Sequence, residues 1–266
     1  MPDISAGRFA EGLDLVRRRG PLVHNVTNLV AMSLSANVLI AASASPIMSA
    51  APEEAGELAA MSGALVVNMG TLTSDWMLGA LAAIAGARGA SRPWLFDPVG
   101  VGATAFRNDT ATRLLSLRPT IVRGNASEIA ALAGMGGGGK GVDSTLGTDA
   151  VADSAMALAR RAGAVVVATG AVDLVTDGER TYRIANGHPL LGRITASGCA
   201  LTGLMGAWAA VMEDPLEAAT GTLVAYGIAA ELAAETASGP GSFAASLLDQ
   251  LTLLDGLTLL ARARLS

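Results

Sequence analysis

Short apolar runs alternate with longer stretches of helical periodicity along most of this chain, and few folds accommodate that pattern. Pro21–His24, Pro46–Met48, Ala64–Met69, Trp94–Asp97, Thr120–Arg123 and Ala164–Thr169 read as strands. Between them, residues 6–19, 28–41, 52–61, 75–88, 109–117, 127–133 and 148–162 read as helices. A strand, a crossover helix and a second strand give parallel pairing, with the helices covering the faces of the sheet. A strand covered on both faces is apolar along its length, as these runs are, and does not alternate. The chain has the material for this, with 51% hydrophobic and 15% charged residues among 266. Asp173–Thr176 and Arg180–Ile184 flank Asp177-Gly178-Glu179 and read as a hairpin that adds antiparallel strands at one edge. From Cys199 onward the pattern is helical, with a break near Ser238-Gly239-Pro240-Gly241. The local signals agree. Gly20 stops the first helix, Pro52 with Glu53 and Glu54 opens another, and Ser74 reads as a cap. No Pro/Ser-rich or charged linker divides the chain, so residues 1–266 are expected to form a single α/β domain.

Charge and cysteine usage exclude several classes of function. The net charge is −5, and the only dense basic run, Arg17-Arg18-Arg19, falls at a helix C-terminus, where cations are favoured. Nucleic-acid binding is not expected. A single cysteine, Cys199, permits no intrachain disulfide and fits a cytoplasmic setting. Met1-Pro2-Asp3 lacks the basic start of a secretory signal. Apolar stretches such as Ala200–Met212 fall short of the roughly 18–20 residues of a membrane span and read as buried helices.

In open parallel sheets ligands sit beyond the carboxyl ends of the strands, so the polar residues there are the candidates. Thr195-Ala196-Ser197-Gly198-Cys199-Ala200-Leu201-Thr202 runs a small-residue loop into an apolar helix. Its backbone N–H groups and the helix dipole suit an anion or phosphate, and a thiol at that helix end is expected to acidify. The same segment also reads as a tight loop with a small buried cysteine. Asp97, in Asp97-Pro98-Val99-Gly100, suits magnesium or a polar substrate group, or a simple turn. In Arg123-Gly124-Asn125-Ala126-Ser127-Glu128, Asn125 and Glu128 have capping-box spacing. Capping does not explain Arg123, which suits a phosphate. Thr169-Gly170 could line a nucleotide pocket. Gly134–Lys140 imitates a phosphate-binding P-loop, but Gly141 follows where Ser or Thr is needed and a helix precedes it, so it reads as a flexible loop. The two histidines, His24 and His188, do not make a zinc site or a hydrolase triad. His24, in the segment His24-Asn25-Val26-Thr27-Asn28, reads as lining a site, and His188, before Pro189, reads as structural or as a loop residue.

Taken together and in order, these segments resemble hydroxyethylthiazole kinase, a ribokinase-like family of thiamin (vitamin B1) salvage. The resemblance covers nearly the whole chain. Its most specific part runs from His24-Asn25-Val26-Thr27-Asn28 through Ser45-Pro46-Ile47-Met48 to Ala51-Pro52-Glu53-Glu54. It implies a three-layer α/β/α sandwich with a mainly parallel central sheet, and transfer of the ATP γ-phosphate to the hydroxyl of 4-methyl-5-(2-hydroxyethyl)thiazole. It also implies that Asn25, Met48 and Gly198 contact the thiazole, that Arg123, Thr169, Ala196 and Ser197 contact ATP, and that Asp97 and Glu128 belong to the Mg2+ environment. Cys199 stands where related sugar kinases place a catalytic Asp. A homotrimer with the thiazole site at the subunit interface is implied as well.

One residue departs from the family pattern. The phosphate loop usually reads T-G-x-G-C, and here Ala196 takes the place of the first Gly. A left-handed conformation at that position would cost Ala about 1 kcal/mol. The rival functions are hydroxymethylpyrimidine or pyridoxal kinase, a nucleotide-dependent repair dehydratase, and a non-catalytic metabolite-binding module. An oxidoreductase would need G-x-G-x-x-G where His24-Asn25-Val26-Thr27-Asn28 stands.

Overall fold

The computed structural model describes residues 6–134 and 147–266, and the P-loop imitation at Gly134–Lys140 lies outside them after its first residue. Eight strands form one sheet: β1 Leu22–Val26, β2 Ser45–Met48, β3 Ala64–Asn68, β4 Trp94–Asp97, β5 Ile121–Asn125, β6 Val165–Thr169, β7 Asp173–Thr176 and β8 Thr181–Ile184. Their order is β2-β1-β3-β4-β5-β6-β7-β8. Pairing is parallel from β2 to β6 and antiparallel for β6–β7 and β7–β8. The hairpin expected around Gly178 is therefore present, and Gly178 takes φ +94° there.

Eleven helices follow among the described residues: α1 Ala6–Arg19, α2 Met32–Ala41, α3 Pro52–Met61, α4 Ser74–Gly89, α5 Ala105–Leu115, α6 Ala126–Leu132, α7 Ala152–Ala162, α8 Ser197–Ala209, α9 Pro215–Thr236, α10 Pro240–Leu253 and α11 Gly256–Arg262. Two hydrophobic clusters separate them into layers. Side chains of α1, α2 and α8–α11 pack on one face of the sheet with Val23 and Val66, and those of α3–α7 pack on the other with Leu65 and Val67. Neighbouring residues of β3 thus serve opposite faces, which is why the strand is apolar throughout.

Several boundaries differ from the sequence reading. Helix α2 starts at Met32 and not at residue 28, because the Asn28 side chain turns inward and accepts the Ala31 N–H at 2.9 Å. The cap of α4 is Thr73, whose Oγ1 accepts from Trp76 N at 3.1 Å, so Ser74 is already helical. Helix α5 begins at Ala105, ahead of the expected 109, because Thr104 caps it. Residues 148–151 form a 3₁₀ turn ahead of α7.

Glycine sets the distance between α3 and α4. A Cβ on Gly79 would lie 1.9 Å from the Ala50 carbonyl oxygen, and one on Gly86 would lie 2.0 Å from that of Gly56. Both obstacles are backbone and cannot swing aside. Gly86→Ala is therefore expected to cost about 2–3 kcal/mol through overpacking, against a helix-propensity gain of about 1 kcal/mol. A denaturant midpoint equal to or above that of the unsubstituted protein would contradict this.

Candidate active site

Parallel pairing brings the polar strand ends together. Asn25 stands opposite Met48 across β1–β2, Asn68 opposite Asp97 across β3–β4, and Asn125 opposite Thr169 across β5–β6. The strand order reverses direction at β1, so β1 and β3 flank the switch point where α/β sheets open a crevice.

A buried chain of hydrogen bonds crosses that crevice. The Asn28 amide Nδ2 donates to Cys199 Sγ at 3.4 Å and to Asn68 Oδ1 at 2.8 Å. Asn68 Nδ2 donates to Asp97 Oδ2 at 2.7 Å, and the Thr202 hydroxyl donates to the same oxygen at 2.8 Å. Arg123 Nη1 lies 3.9 Å from Asp97 Oδ2, and its Nη2 donates to Thr169 Oγ1 at 2.6 Å. Asp97 is wholly buried, and its Oδ1 has no hydrogen-bond partner among the described residues. Burial pushes its pKa up to about 7, with the Arg123 guanidinium working in the opposite direction. Carboxylate and guanidinium together are tolerable in such a place, and neither is tolerable alone.

Glu128 and Asn125 do form the capping box. Glu128 N donates to Asn125 Oδ1, and Asn125 N donates to Glu128 Oε2, each at 2.9 Å. The other oxygen, Oε1, accepts from Gly100 N at 2.9 Å and so ties α6 to the turn after β4. That turn has a second clamp, Arg107, which donates to the carbonyls of Met69, Val99 and Gly70 at 2.7–2.8 Å. The sequence offers no sign of this role, because Arg107 sits on a helix with nothing local to mark its partners.

Two cavities open near the chain of bonds, one walled by Arg123 and Thr169 and the other lined by the chain neighbours of Asn28. The larger, about 500 Å3, is walled by Arg123, Thr169, Ser197, Gly198 and Tyr226, and by the loop at Asn186–Pro189. It therefore brings together Arg123, Thr169 and Ser197, three of the four residues that the resemblance assigns to ATP, and draws Gly198, which the resemblance assigns to the thiazole, to the same wall. His188 stands there too, its Nδ1 accepting from Leu190 N at 3.3 Å. Ala196 is not among the residues that line either cavity. The smaller cavity, about 450 Å3, is lined by Asn25, Thr27, Leu29, Met32, Pro52 and Trp76 among others. Asn25 Oδ1 is buried without a partner among the described residues. Met48 lies beside Asn25 in the sheet but is not in the cavity lining. His24 is buried next to it, its Nε2 bonded to Ser49 O at 2.9 Å, and burial holds its pKa down.

The loop into α8 bears out one expectation and overturns another. Ala196 adopts φ +67°, the left-handed conformation that costs a residue with a Cβ. Ala196→Gly is expected to raise stability by about 0.5–1 kcal/mol after the entropy cost of glycine, read as a higher unfolding midpoint. The Cys199 thiol, by contrast, is not acidified. Its pKa is pushed up to about 11, first by burial and then by the Asp97 carboxylate, and these outweigh Arg123 and the Asn68 and Asn28 amides. Cys199 is a thiol at neutral pH.

A model of the hydroxyethylthiazole kinase family matches residues 13–256. The chain belongs to the hydroxyethylthiazole kinase family. It is 54% identical to the hydroxyethylthiazole kinase of Cereibacter sphaeroides over 95% of this chain and 96% of the relative, and 52% identical to that of Rhizobium etli over 96% and 99%. The solved hydroxyethylthiazole kinase of Pyrococcus horikoshii OT3 superposes with TM-score 0.90 at 42% identity, over 97% of this chain and 98% of the other. A ribokinase-like superfamily protein of Enterococcus faecalis V583 superposes with TM-score 0.63 at 13% identity, over 96% and 91%, which shows the shared fold alone. The family assignment and the ribokinase-like three-layer α/β/α architecture are both as the sequence resemblance implied. Among the described residues, no single helix is long and apolar enough to cross a membrane.

Proposed function

We propose that this chain transfers the γ-phosphate of ATP to the hydroxyl of 4-methyl-5-(2-hydroxyethyl)thiazole, as a step of thiamin salvage, and that residues 1–266 act as one kinase domain. The observation that carries the reading is the bonded path from Cys199 through Asn28, Asn68 and Asp97 to Arg123. Arg123 walls the larger cavity, and Thr27 and Leu29, the chain neighbours of Asn28, line the smaller. In this reading the larger cavity takes ATP, against Arg123, Thr169, Ser197 and the Ala196 loop. The smaller takes the thiazole against Asn25, with Met48 at its edge and Gly198 between the two substrates.

Phosphoryl transfer has a loose transition state, so the protein contributes position and charge more than covalent chemistry. The N–H groups in the first turn of α8 have no acceptor within the helix and suit the transferring group. Arg123 supplies positive charge on the same wall of the cavity. Asp97 and Glu128 fit a Mg2+ ion held mainly through phosphate oxygens, since that metal needs only one or two protein carboxylates and Asp97 Oδ1 has no protein partner among the described residues. When bound, such an ion neutralises charge on the phosphates. Glu128, with both oxygens already accepting backbone N–H groups, would orient water and not bind directly.

Cys199 orients the acceptor alcohol in this reading and leaves the base role aside, because its thiol does not ionise at neutral pH. Cys199→Ala is expected to lower kcat by about tenfold, below the usual range for loss of a general base. Cys199→Asp should keep or gain activity, since a carboxylate buried beside Asp97 has its pKa raised toward the working pH. An inactive but folded Cys199→Asp protein would contradict this.

A homotrimer and a cytoplasmic setting complete the proposal. Leu29 and Val30 are 75% and 62% exposed, and Leu29 lines the smaller cavity, so a partner seated there would close it. Solution mass tests the trimer. The reaction itself is tested by 31P NMR of the product, where a phosphate monoester on the hydroxyethyl group is expected and an unchanged alcohol would refute the assignment.

A further inference from the structure

The loop Ala185–Pro189 forms one wall of the larger cavity, through Asn186, Gly187, His188 and Pro189. It follows β8 and has no strand partner of its own beyond Ala185. Gly187 takes φ +142°, a conformation that costs side-chain-bearing residues and that glycine adopts without strain. Such a loop needs tethers if the cavity is to keep one shape.

The tethers come from behind the cavity. Glu231 Oε1, on α9, accepts from Asn186 Nδ2 at 3.1 Å, from Gly187 N at 2.8 Å and from Arg264 Nη2 at 2.6 Å. Arg264 N donates to Asn186 Oδ1 at 2.8 Å, and Arg264 Nη2 also donates to Ala185 O at 2.6 Å. Residues 264–266 then lie along β8, with Ala185 N donating to Arg264 O and Ser266 N to Arg183 O. About one turn before Glu231 on α9, Gly227 lets the helix approach the loop; a Cβ there would lie 2.7 Å from the Asn186 backbone. The Glu231–Arg264 pair is partly exposed, with side chains 16% and 53% accessible, so as an ion pair it contributes little to global stability. All of Glu231 Oε1's donors nevertheless belong to the loop or to the segment that braces it.

We propose that Glu231 and Arg264 are positioning residues for nucleotide binding, acting through the Asn186–Gly187 wall. The inference rests on reading the larger cavity as the ATP site. A tethered wall does not have to be ordered when the ligand arrives, and that ordering is a cost of binding. Loss of the tether falls on nucleotide affinity and leaves the chemistry at Cys199 and Arg123 alone. Neither residue lines the cavity.

The test is steady-state kinetics of Glu231→Ala, Glu231→Gln and Arg264→Ala, with ADP binding by calorimetry beside it. Glu231→Ala is expected to raise KM for ATP about tenfold and weaken ADP in parallel, and Arg264→Ala about threefold, with kcat and KM for the thiazole changed by less than about twofold. Glu231→Gln keeps an acceptor for Asn186 and Gly187 and should restore most of the ATP affinity. An unchanged KM for ATP in a folded Glu231→Ala protein overturns the proposal, as does an equal loss in kcat and in both KM values. A wild-type protein that binds ADP without thiazole-dependent turnover would sink the functional reading alone, and the ADP affinities of the variants would still decide this one.

Discussion

Arg123→Ala is expected to lower kcat/KM by about a thousandfold, the range seen when a charge that stabilises a transferring phosphoryl group is removed. The same substitution should make stability depend on pH in a way that identifies the cause. In the intact protein Asp97 is held at about 7 against burial, with Arg123 pulling it down. Without Arg123 its folded pKa rises further. A carboxyl whose folded pKa exceeds its unfolded value favours the folded state at low pH and loses that advantage as pH rises through the folded value. Above pH 7 the intact protein has already released this proton and the variant has not. The variant therefore loses about 1.4 kcal/mol per pH unit relative to the intact protein there, up to its own Asp97 pKa. Denaturant unfolding of both proteins at pH 6, 7 and 8 measures it, and a constant difference would contradict the pairing.

Gly198→Ala is expected to lose activity about a hundredfold while losing only about 1 kcal/mol of stability, the cost of disturbing the buried Arg123–Asp97 pair less the helix-propensity gain. An added Cβ would lie 2.6 Å from Arg123 Nη1 and 2.8 Å from Nη2. The obstacle is the end of a side chain and not backbone, so the strand and helix need not shift, and alanine in the first turn of α8 offsets part of what the displaced guanidinium loses. What yields is the guanidinium, which is displaced from Thr169 Oγ1 and from Asp97. Activity assays and thermal unfolding on one preparation separate the two effects. Equal loss of stability and activity would mean that the contact is structural and not catalytic.

The layers of this fold were legible because each element carries its own local cause. Pro52 with two glutamates starts α3, Asn125 and Glu128 close a capping box, and Asp177-Gly178 turns the hairpin. The candidate residues were legible for a related reason: parallel strands put every polar strand end on one edge. What escaped the sequence depends on partners distant along the chain. Arg107 is set by the carbonyls of Met69, Gly70 and Val99, and Glu231 by a loop before α8. A place at a helix start alone would make Cys199 an acidified thiol. The fold does the opposite, because burial, and after it the charge of Asp97 from a strand far away in sequence, raise the thiol pKa. Likewise, Asn28 looked like the start of a helix until Asn68 and Cys199 were seen to draw its side chain inward.

The central claim is most directly tested by ADP release from ATP and Mg2+ with hydroxyethylthiazole, hydroxymethylpyrimidine or pyridoxal as the sole acceptor. Release that depends on hydroxyethylthiazole, with little from the other two, is the expected result. Release with the pyrimidine or pyridoxal alone would contradict the acceptor assignment, and no release with any of the three would contradict the kinase reading of the site.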